Sequence, residues 1–155
     1  MISIKQVLFP TDLSDAAAEA QLYACALAEQ FGAELHVLTV IQDMNLVSPD
    51  PNMPWAIPAS SLVEVRSSLE ASLLKIPSAE WSDQHVVHRA IRTGVPYLEV
   101  EKYAKEHDID VIVVGTHGRT GLTHLLLGST AEKIVRKAPC PVLTVHPKGH
   151  QFIGD

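Results

Sequence analysis

Short apolar runs alternate with stretches of helical periodicity along most of the chain. Runs as short and apolar as these are typical of strands buried on both faces of a parallel sheet. The fourth is the most hydrophobic, so we expect it inside the sheet. The predicted strands are Gln6–Phe9, Glu34–Val40, His85–Ile91, Ile109–Gly115 and Pro141–Val145.

Helical periodicity fills the intervals between the apolar runs. In the first interval Ser14 is a plausible N-cap and Gly32 a plausible C-cap residue. The apolar face predicted between them consists of Ala16, Ala20, Tyr23, Leu27 and Phe31. The other predicted helices run from about Leu62 to Ile76, from Pro96 to about His107 and from Ser129 to Lys137.

The regular alternation of strand and helix predicts the fold class. Strands joined through helices run parallel, and their crossovers are right-handed. We therefore expect one doubly wound, Rossmann-like α/β domain over residues 1–155, with its core at about 3–146 and a loose C-terminal tail. Helices should cover both faces of the sheet. Ligands of such sheets bind beyond the carboxyl ends of the strands, where the strand order switches.

One segment interrupts this alternation. Ser48–Pro58 contains four prolines and predicts a loop longer than most connections inside a compact domain. Met53 and Trp55 in this loop are candidate contacts for a protein partner, and they could equally fold over a ligand pocket.

Composition and charge exclude several classes of function. The 155 residues are 46% hydrophobic and 19% charged, which suits one folded domain, and the net charge is −6. A surface of this sign repels phosphate backbones, so we expect no nucleic-acid partner. No apolar run approaches the roughly 20 residues of a membrane span, and the N-terminus lacks the apolar region of a signal peptide. We expect a soluble, cytoplasmic protein without membrane insertion.

Three glycines follow the fourth predicted strand, at Gly115, Gly118 and Gly128. Glycine permits positive φ and lets a ligand approach the backbone. Ser129 and Glu132 fit a capping box at the start of a helix, whose N-terminus attracts phosphate. The segment therefore predicts a phosphate cradle. The alternative is that the glycines serve only the turn and Ser129 only caps its helix.

Better-known nucleotide and catalytic motifs are absent from the sequence. It contains no Gly-x-x-x-x-Gly-Lys-Ser/Thr loop, and its 115–121 segment reads Gly-x-x-Gly-x-x-Gly rather than Gly-x-Gly-x-x-Gly. It also lacks the nucleophile elbow Gly-x-Ser-x-Gly. We therefore assign no catalytic residue and expect, at most, slow hydrolysis of a bound nucleotide.

The spacing Gly115-x2-Gly118-x9-Gly128-Ser129 resembles the nucleotide-binding signature of the universal stress protein family. The stretches VLFPTDLS, IDVIVVGTHGRTGL and LLLGSTAEKIVRKAPCPVLTV also resemble that family, so the likeness extends over about residues 3–146. It implies a five-stranded parallel sheet of order 3-2-1-4-5. It further implies a homodimer formed through the last strand, Pro141–Val145.

The same resemblance implies ATP as the ligand, since the complete glycine signature marks the ATP-binding members of the family. Asp12 would lie near adenine and ribose, and the main chain of Val40 against the adenine edge. Gly115 would let the ribose approach. The phosphates would be surrounded by Gly118, Gly128, Ser129 and Thr130, and Pro10 and Thr11 beside Asp12 are counted in the same site.

Several of these residues have simpler interpretations. Asp12 could cap the first helix, and Thr130 could be a helix-start residue without a ligand. Two further candidates come from the loop itself. Arg119 could pair with a phosphate oxygen or be a solvated loop arginine, and His117 could line the site.

Eight histidines raise the question of a metal site. They are scattered along the chain, no His-Glu-x-x-His occurs, and His85 and His88 would face opposite sides of one strand. We therefore expect no protein metal site. Mg²⁺ carried by ATP is the favoured metal, because it usually binds through substrate phosphates.

Three functions remain open at this point. The first is a regulatory stress-response protein that binds ATP. The second is a nucleotide-free dimeric interaction module of the same fold, with an unidentified protein partner. The third is an enzyme acting on a nucleotide, which fast turnover would reveal.

Overall fold

The computed structural model describes residues 1–42, 59–117 and 127–146. The strands in these ranges are β1 (Gln6–Pro10), β2 (Glu34–Gln42), β3 (Val87–Gly94), β4 (Val111–Gly115) and β5 (Val142–Val145). The helices are α1 (Asp15–Phe31), α2 (Ala59–Leu73), α3 (Ala79–Ser82), α4 (Pro96–Glu106) and α5 (Ser129–Lys137). In this described part of the chain, no helix is long and apolar enough to cross a bilayer.

The five strands form one parallel sheet of order β3-β2-β1-β4-β5. This confirms the predicted doubly wound, Rossmann-like fold and the strand order 3-2-1-4-5. β1 is the middle strand, and the very hydrophobic β4 lies beside it in the interior. The direction of winding reverses between β1 and β4, so the switch point lies at their carboxyl ends.

Helices pack on both faces of the sheet. Adjacent residues of a strand point to opposite faces, so each strand presents apolar side chains to both layers of helices. Val7 and Phe9 of β1 join the core beneath α1, together with Leu73 at the end of α2. Leu8, between them, joins the other core, which α4 and α5 cover. The continuous apolar strands are thus explained by burial on two sides.

The buried face of α1 differs from the predicted one. The residues that contact the sheet are Ala17, Ala20, Ala24 and Ala28, whereas Phe31 of the predicted face is 41% exposed. Alanine has no side chain beyond Cβ, so this stripe lets the helix backbone approach the strands closely. The larger side chains flank the contact. The prediction holds for Ala20, and Tyr23 and Leu27 are partly buried against this core, but Phe31 is not part of the contact.

Some element boundaries also differ. β3 was predicted to begin at His85 but runs over Val87–Gly94, because it pairs with β2 along the whole stretch from Leu35 to Gln42. His85 therefore precedes the strand. α2 ends at Leu73 rather than Ile76, and the short helix α3 was not predicted.

A buried histidine lies within the sheet, near the amino end of β2. His36 is 4% exposed, and its two ring nitrogens hydrogen-bond Tyr103 Oη (2.9 Å) and Gln6 Oε1 (2.6 Å). Burial, helped by the nearby His88 and His107, lowers the pKa of His36 from 6.5 to about 4. The side chain is therefore neutral at pH 7.

Acidification should destabilise the metal-free protein through His36. Between pH 6.5 and about 4 the unfolded chain binds a proton that the folded chain excludes, so the free energy of unfolding falls as the pH falls. The limiting slope for one group is about 1.4 kcal/mol per pH unit. Urea unfolding at several pH values, in the presence of a chelator, measures this dependence of the free energy of unfolding on pH. The His36→Gln variant should give a shallower slope. Parallel slopes for the two proteins would contradict the assignment.

Candidate functional site

The carboxyl edge of the sheet gathers the predicted site residues around the switch point. β1 ends at Pro10, β4 ends at Gly115, and α5 begins just after Gly128. The structure places in this region Pro10, Thr11, Asp12, Val40, Gly115, His117, Gly128, Ser129 and Thr130. The other two candidates, Gly118 and Arg119, lie outside the described residues.

Asp12 organises the turn between β1 and α1. Its Oδ1 accepts hydrogen bonds from the Ser14 amide (3.0 Å) and the Ser14 hydroxyl (2.5 Å). Ser14 itself is the N-cap residue, as predicted, but its side chain makes no capping bond. Asp12 therefore fixes the residue that precedes the helix.

Leu13, inside the same turn, has φ +62°. A left-handed conformation is unfavourable for a non-glycine residue and often marks a functional turn. Here the Leu13 amide donates to Thr11 Oγ1 (3.0 Å), which helps to hold the turn. Sequence analysis missed Leu13, because nothing in a leucine predicts positive φ.

β2 continues past the end of β1 and presents its main chain there. Pro10 pairs with Leu38, and the Thr11 amide donates to Leu38 O (2.8 Å). Backbone groups of alternate residues point to the same side of a strand, so the peptide groups of Val40 face the space beyond β1. β2 itself does not end at Val40, as predicted, but at Gln42.

Buried threonines connect these strand ends. Thr39 Oγ1 donates to Thr11 O (2.8 Å) and ties β2 to the β1–α1 turn. On the other side of the switch point, the Thr116 amide donates to Val145 O (2.9 Å) and ties β4 to β5. Thr39 and Thr116 were not singled out from the sequence. The available signal was a hydroxyl residue in or directly after an otherwise apolar strand.

Gly128 allows a close approach between α5 and the end of β4. Its amide donates to Thr116 O over only 2.6 Å, and a Cβ built on Gly128 would lie 3.1 Å from that oxygen. Its φ is −66°, so Gly128 serves this close approach and not a left-handed backbone; the positive φ expected directly after the strand is not found at Gly115 either. Among the described glycines, positive φ occurs at Gly32 and Gly94, not at Gly115 or Gly128.

Packing also explains why position 115 is a glycine. A Cβ there would face the first turn of α1, 3.5 Å from Ala16 O and 3.8 Å from the Ala17 Cα. These are ordinary contacts for a methyl group, but a larger side chain would push the helix away from β4. Gly115 therefore brings the start of α1 close to the switch point.

The first turn of α5 points donors at this region. Gly128 is the N-cap and Ser129 the first helical residue, so the predicted Ser129–Glu132 capping box is wrong. Glu132 instead pairs with Arg136 (2.9 Å). The first intrahelical bond is donated by the Glu132 amide to Gly128 O. The amides of residues 129–131 therefore have no acceptor four residues earlier in the helix, and they carry the positive end of its dipole.

His117 lies on the β5 side of β4. Its Nδ1 is 2.9 Å from Thr116 Oγ1, and its ring packs edge-on against His146, with 5.2 Å between ring centroids. The switch point is on the other side of β4. The structure therefore places His117 on the side of the last strand.

The fold is that of a doubly wound α/β protein, in which the start of α5 packs against the end of β4 beside the switch point. The sequence profile of the universal stress protein family matches residues 3–146, and the chain belongs to that family. It is 35% identical to a universal stress protein of Methanocaldococcus jannaschii (MJ0531), over 91% of this chain and 81% of that one. It is 30% identical to YxiE of Bacillus subtilis, over 90% and 97% of the two chains.

Solved structures share this architecture. UspA from Lactobacillus plantarum superposes with a TM-score of 0.78 at 28% identity, covering 94% of this chain and 99% of that one. A universal stress protein solved in complex with cAMP gives a TM-score of 0.60 at 22% identity, covering 95% and 100%. The latter likeness shows the fold alone.

Proposed function

We propose that this protein is a homodimeric, cytoplasmic regulator of the stress response that binds ATP in the crevice at the carboxyl edge of its sheet. Nucleotide binding would stabilise the fold or the dimer and report the energy state of the cell to a partner. ATP would carry Mg²⁺ with it.

The observation that carries the proposal is the junction of β4 with α5. Because Gly128 has no side chain, α5 starts in contact with Thr116, so its first amides, those of Ser129, Thr130 and Ala131, begin beside the end of β4. Three amide donors and two adjacent hydroxyls suit a polyphosphate. In this proposal Gly128 supplies the close approach, since its own amide is already bonded to Thr116 O.

The adenosine would lie between the ends of β1 and β2. The peptide groups of Val40 would meet the adenine edge, and the Asp12 carboxylate would meet the ribose hydroxyls. Asp12 stands beside the crevice in a turn that Thr11, Thr39 and Ser14 hold in place. Such preorganisation lowers the entropy cost of binding. A family member of the same fold has been solved with cAMP, which is also an adenine nucleotide.

The dimer would form through β5. This strand is at the edge of the sheet, and the half-buried side chains of Val142 and Leu143 leave apolar surface for a partner. An edge strand also presents unpaired peptide groups, which a second copy can satisfy.

Native mass spectrometry of the tag-free protein tests both parts of the proposal. We expect a species of two chains carrying two adenine nucleotides. Acid denaturation should release a compound that elutes at the position of ATP on anion exchange. In a thermal-shift assay, ATP at about 100 times its dissociation constant should stabilise the stripped protein by about 2.7 kcal/mol.

GTP and inorganic triphosphate serve as matched ligands in the same assay. Stabilisation by ATP well beyond that by triphosphate would show that the adenosine is recognised. A nucleotide-free species that ATP does not stabilise would overturn the proposal and favour the interaction module. A mass of one chain at micromolar concentration would contradict the proposed dimer.

A further inference from the structure

A second cluster of chemically active side chains lies at the opposite, amino edge of the sheet. It lines an open depression of about 310 Å³ whose walls come from β1, β2, β3 and the end of α4. The lining residues are Gln6, Glu34, His36, His88, Tyr103 and His107. None of them belongs to the proposed nucleotide site.

Strand register brings three metal-binding side chains together. His36 and His88 are paired across β2 and β3, so they lie on the same face, and their rings stack with 4.5 Å between centroids. Glu34 lies two residues before His36 on the same face. One ligand atom from each of these residues lies within 4.8 Å of those from the other two.

We infer that Glu34, His36 and His88 form a binding site for one divalent transition-metal ion, with Zn²⁺ as the favoured ion. Two imidazoles and one carboxylate are a common donor set for zinc with a fourth position left open. The Gln6 side-chain oxygen or a water can take that position.

A hydrogen bond already supports one of these ligands, His36, as a metal site requires. Tyr103 Oη is 2.9 Å from His36 Nδ1, which leaves Nε2 facing Gln6 Oε1 in the depression. Metal-binding histidines usually anchor their second nitrogen in this way. The metal would replace Gln6 at His36 Nε2, and His36 would then donate its Nδ1–H to Tyr103 Oη. Gln6 Oε1 can only accept, so Nε2 carries the ring proton in the metal-free protein, and metal binding requires the other tautomer, with the proton on Nδ1.

Two groups beside the depression attract a cation, whereas burial of the His36 ring opposes positive charge. Glu34 contributes a negative charge, and hydrogen bonding from His88 lowers the pKa of its carboxyl group. The C-terminal end of α4, at Tyr103 and His107, adds the negative end of a helix dipole. Arg92 lies over the Tyr103 ring and is paired with Glu106 at 2.7 Å, which offsets its charge.

The simpler interpretation is a metal-free polar cluster. His88 Nε2 and Glu34 Oε2 are 2.7 Å apart, so these groups already satisfy one another. The two interpretations differ in what replaces that hydrogen bond when metal is added. A metal ion would bridge the pair and capture His36 as well, with an affinity that depends on all three side chains.

Calorimetric titration of Zn²⁺ into tag-free, chelator-stripped, nucleotide-free protein tests the inference. We expect one ion per chain. His88→Gln and Glu34→Gln should each weaken binding by at least about tenfold. Both side chains are about half exposed, so these variants should fold. Loading with Co²⁺ gives a second measurement, because tetrahedral coordination by nitrogen and oxygen produces intense visible bands that both variants should lose.

His85→Gln is the matched control. It removes a histidine three residues from His88 whose ring stacks on Trp81, outside the cluster, and it should leave zinc affinity unchanged. Absence of saturable binding, or binding that the His88 and Glu34 variants leave intact, would overturn the inference. Because no nucleotide is present, either outcome is independent of the proposed function.

Discussion

Replacing Gly128 with valine should abolish ATP binding while the protein stays folded. The first carbon of the new side chain would lie 3.1 Å from Thr116 O, so α5 and the end of β4 must separate. The amides of Ser129 and Thr130 would then leave their positions. Losing two hydrogen bonds to a charged phosphate costs about 3 kcal/mol or more, which is more than a hundredfold in the dissociation constant. Calorimetry or fluorescent-ATP displacement measures it.

Gly32→Ala is the control for destabilisation. Gly32 has φ +63° with open space around it, so alanine there should cost about 1 kcal/mol of stability through backbone strain alone. It lies at the end of α1, far along the chain from the glycine signature, and should leave ATP affinity unchanged. If the valine variant binds ATP as tightly as the wild type, the close approach at Gly128 has no part in phosphate binding.

Replacing Asp12 should weaken ATP binding by about tenfold to a hundredfold, as expected for one hydrogen bond to a charged group. Asp12→Ala removes the carboxylate from the ribose and also the acceptor that holds Ser14. Asp12→Asn keeps an oxygen for Ser14 and loses only the charge. We expect both variants to lose affinity, and the alanine variant also to lose about 1 kcal/mol of stability.

The pair of variants separates direct contact from positioning. Wild-type affinity in Asp12→Asn would show that Asp12 acts only through the turn, and wild-type affinity in both would remove it from the site. Asp15→Asn is the control: this exposed residue begins α1 and should change neither ATP affinity nor, beyond a few tenths of a kcal/mol, stability.

The two sites lie at opposite edges of one sheet. A nucleotide at the carboxyl edge would use glycine-dependent backbone donors, whereas a metal at the amino edge would use side chains matched by strand register. Variants of one site should therefore leave the other intact. This separation makes each proposal testable without the other.

The sequence by itself determined the order and type of the main elements. Apolar runs and caps such as Ser14, Gly32 and Pro96 depend on neighbours within a few residues, and the structure agrees with them. The glycine spacing also identified the region at the end of β4. Local signals of this kind can be read directly, because their physical causes act over one or two helical turns.

Only the tertiary structure decided the contacts between elements. Gly128 was assigned to a phosphate cradle from its spacing and its place before a helix, and only the structure shows that it meets Thr116, twelve residues earlier in the chain. The face of α1 that contacts the sheet consists of alanines because they let the helix approach the strands closely, whereas hydrophobicity alone would favour the larger side chains. His36 and His88 became neighbours because β2 pairs with β3 in one register. That register is set by burial of the whole sheet, which no local stretch of sequence contains.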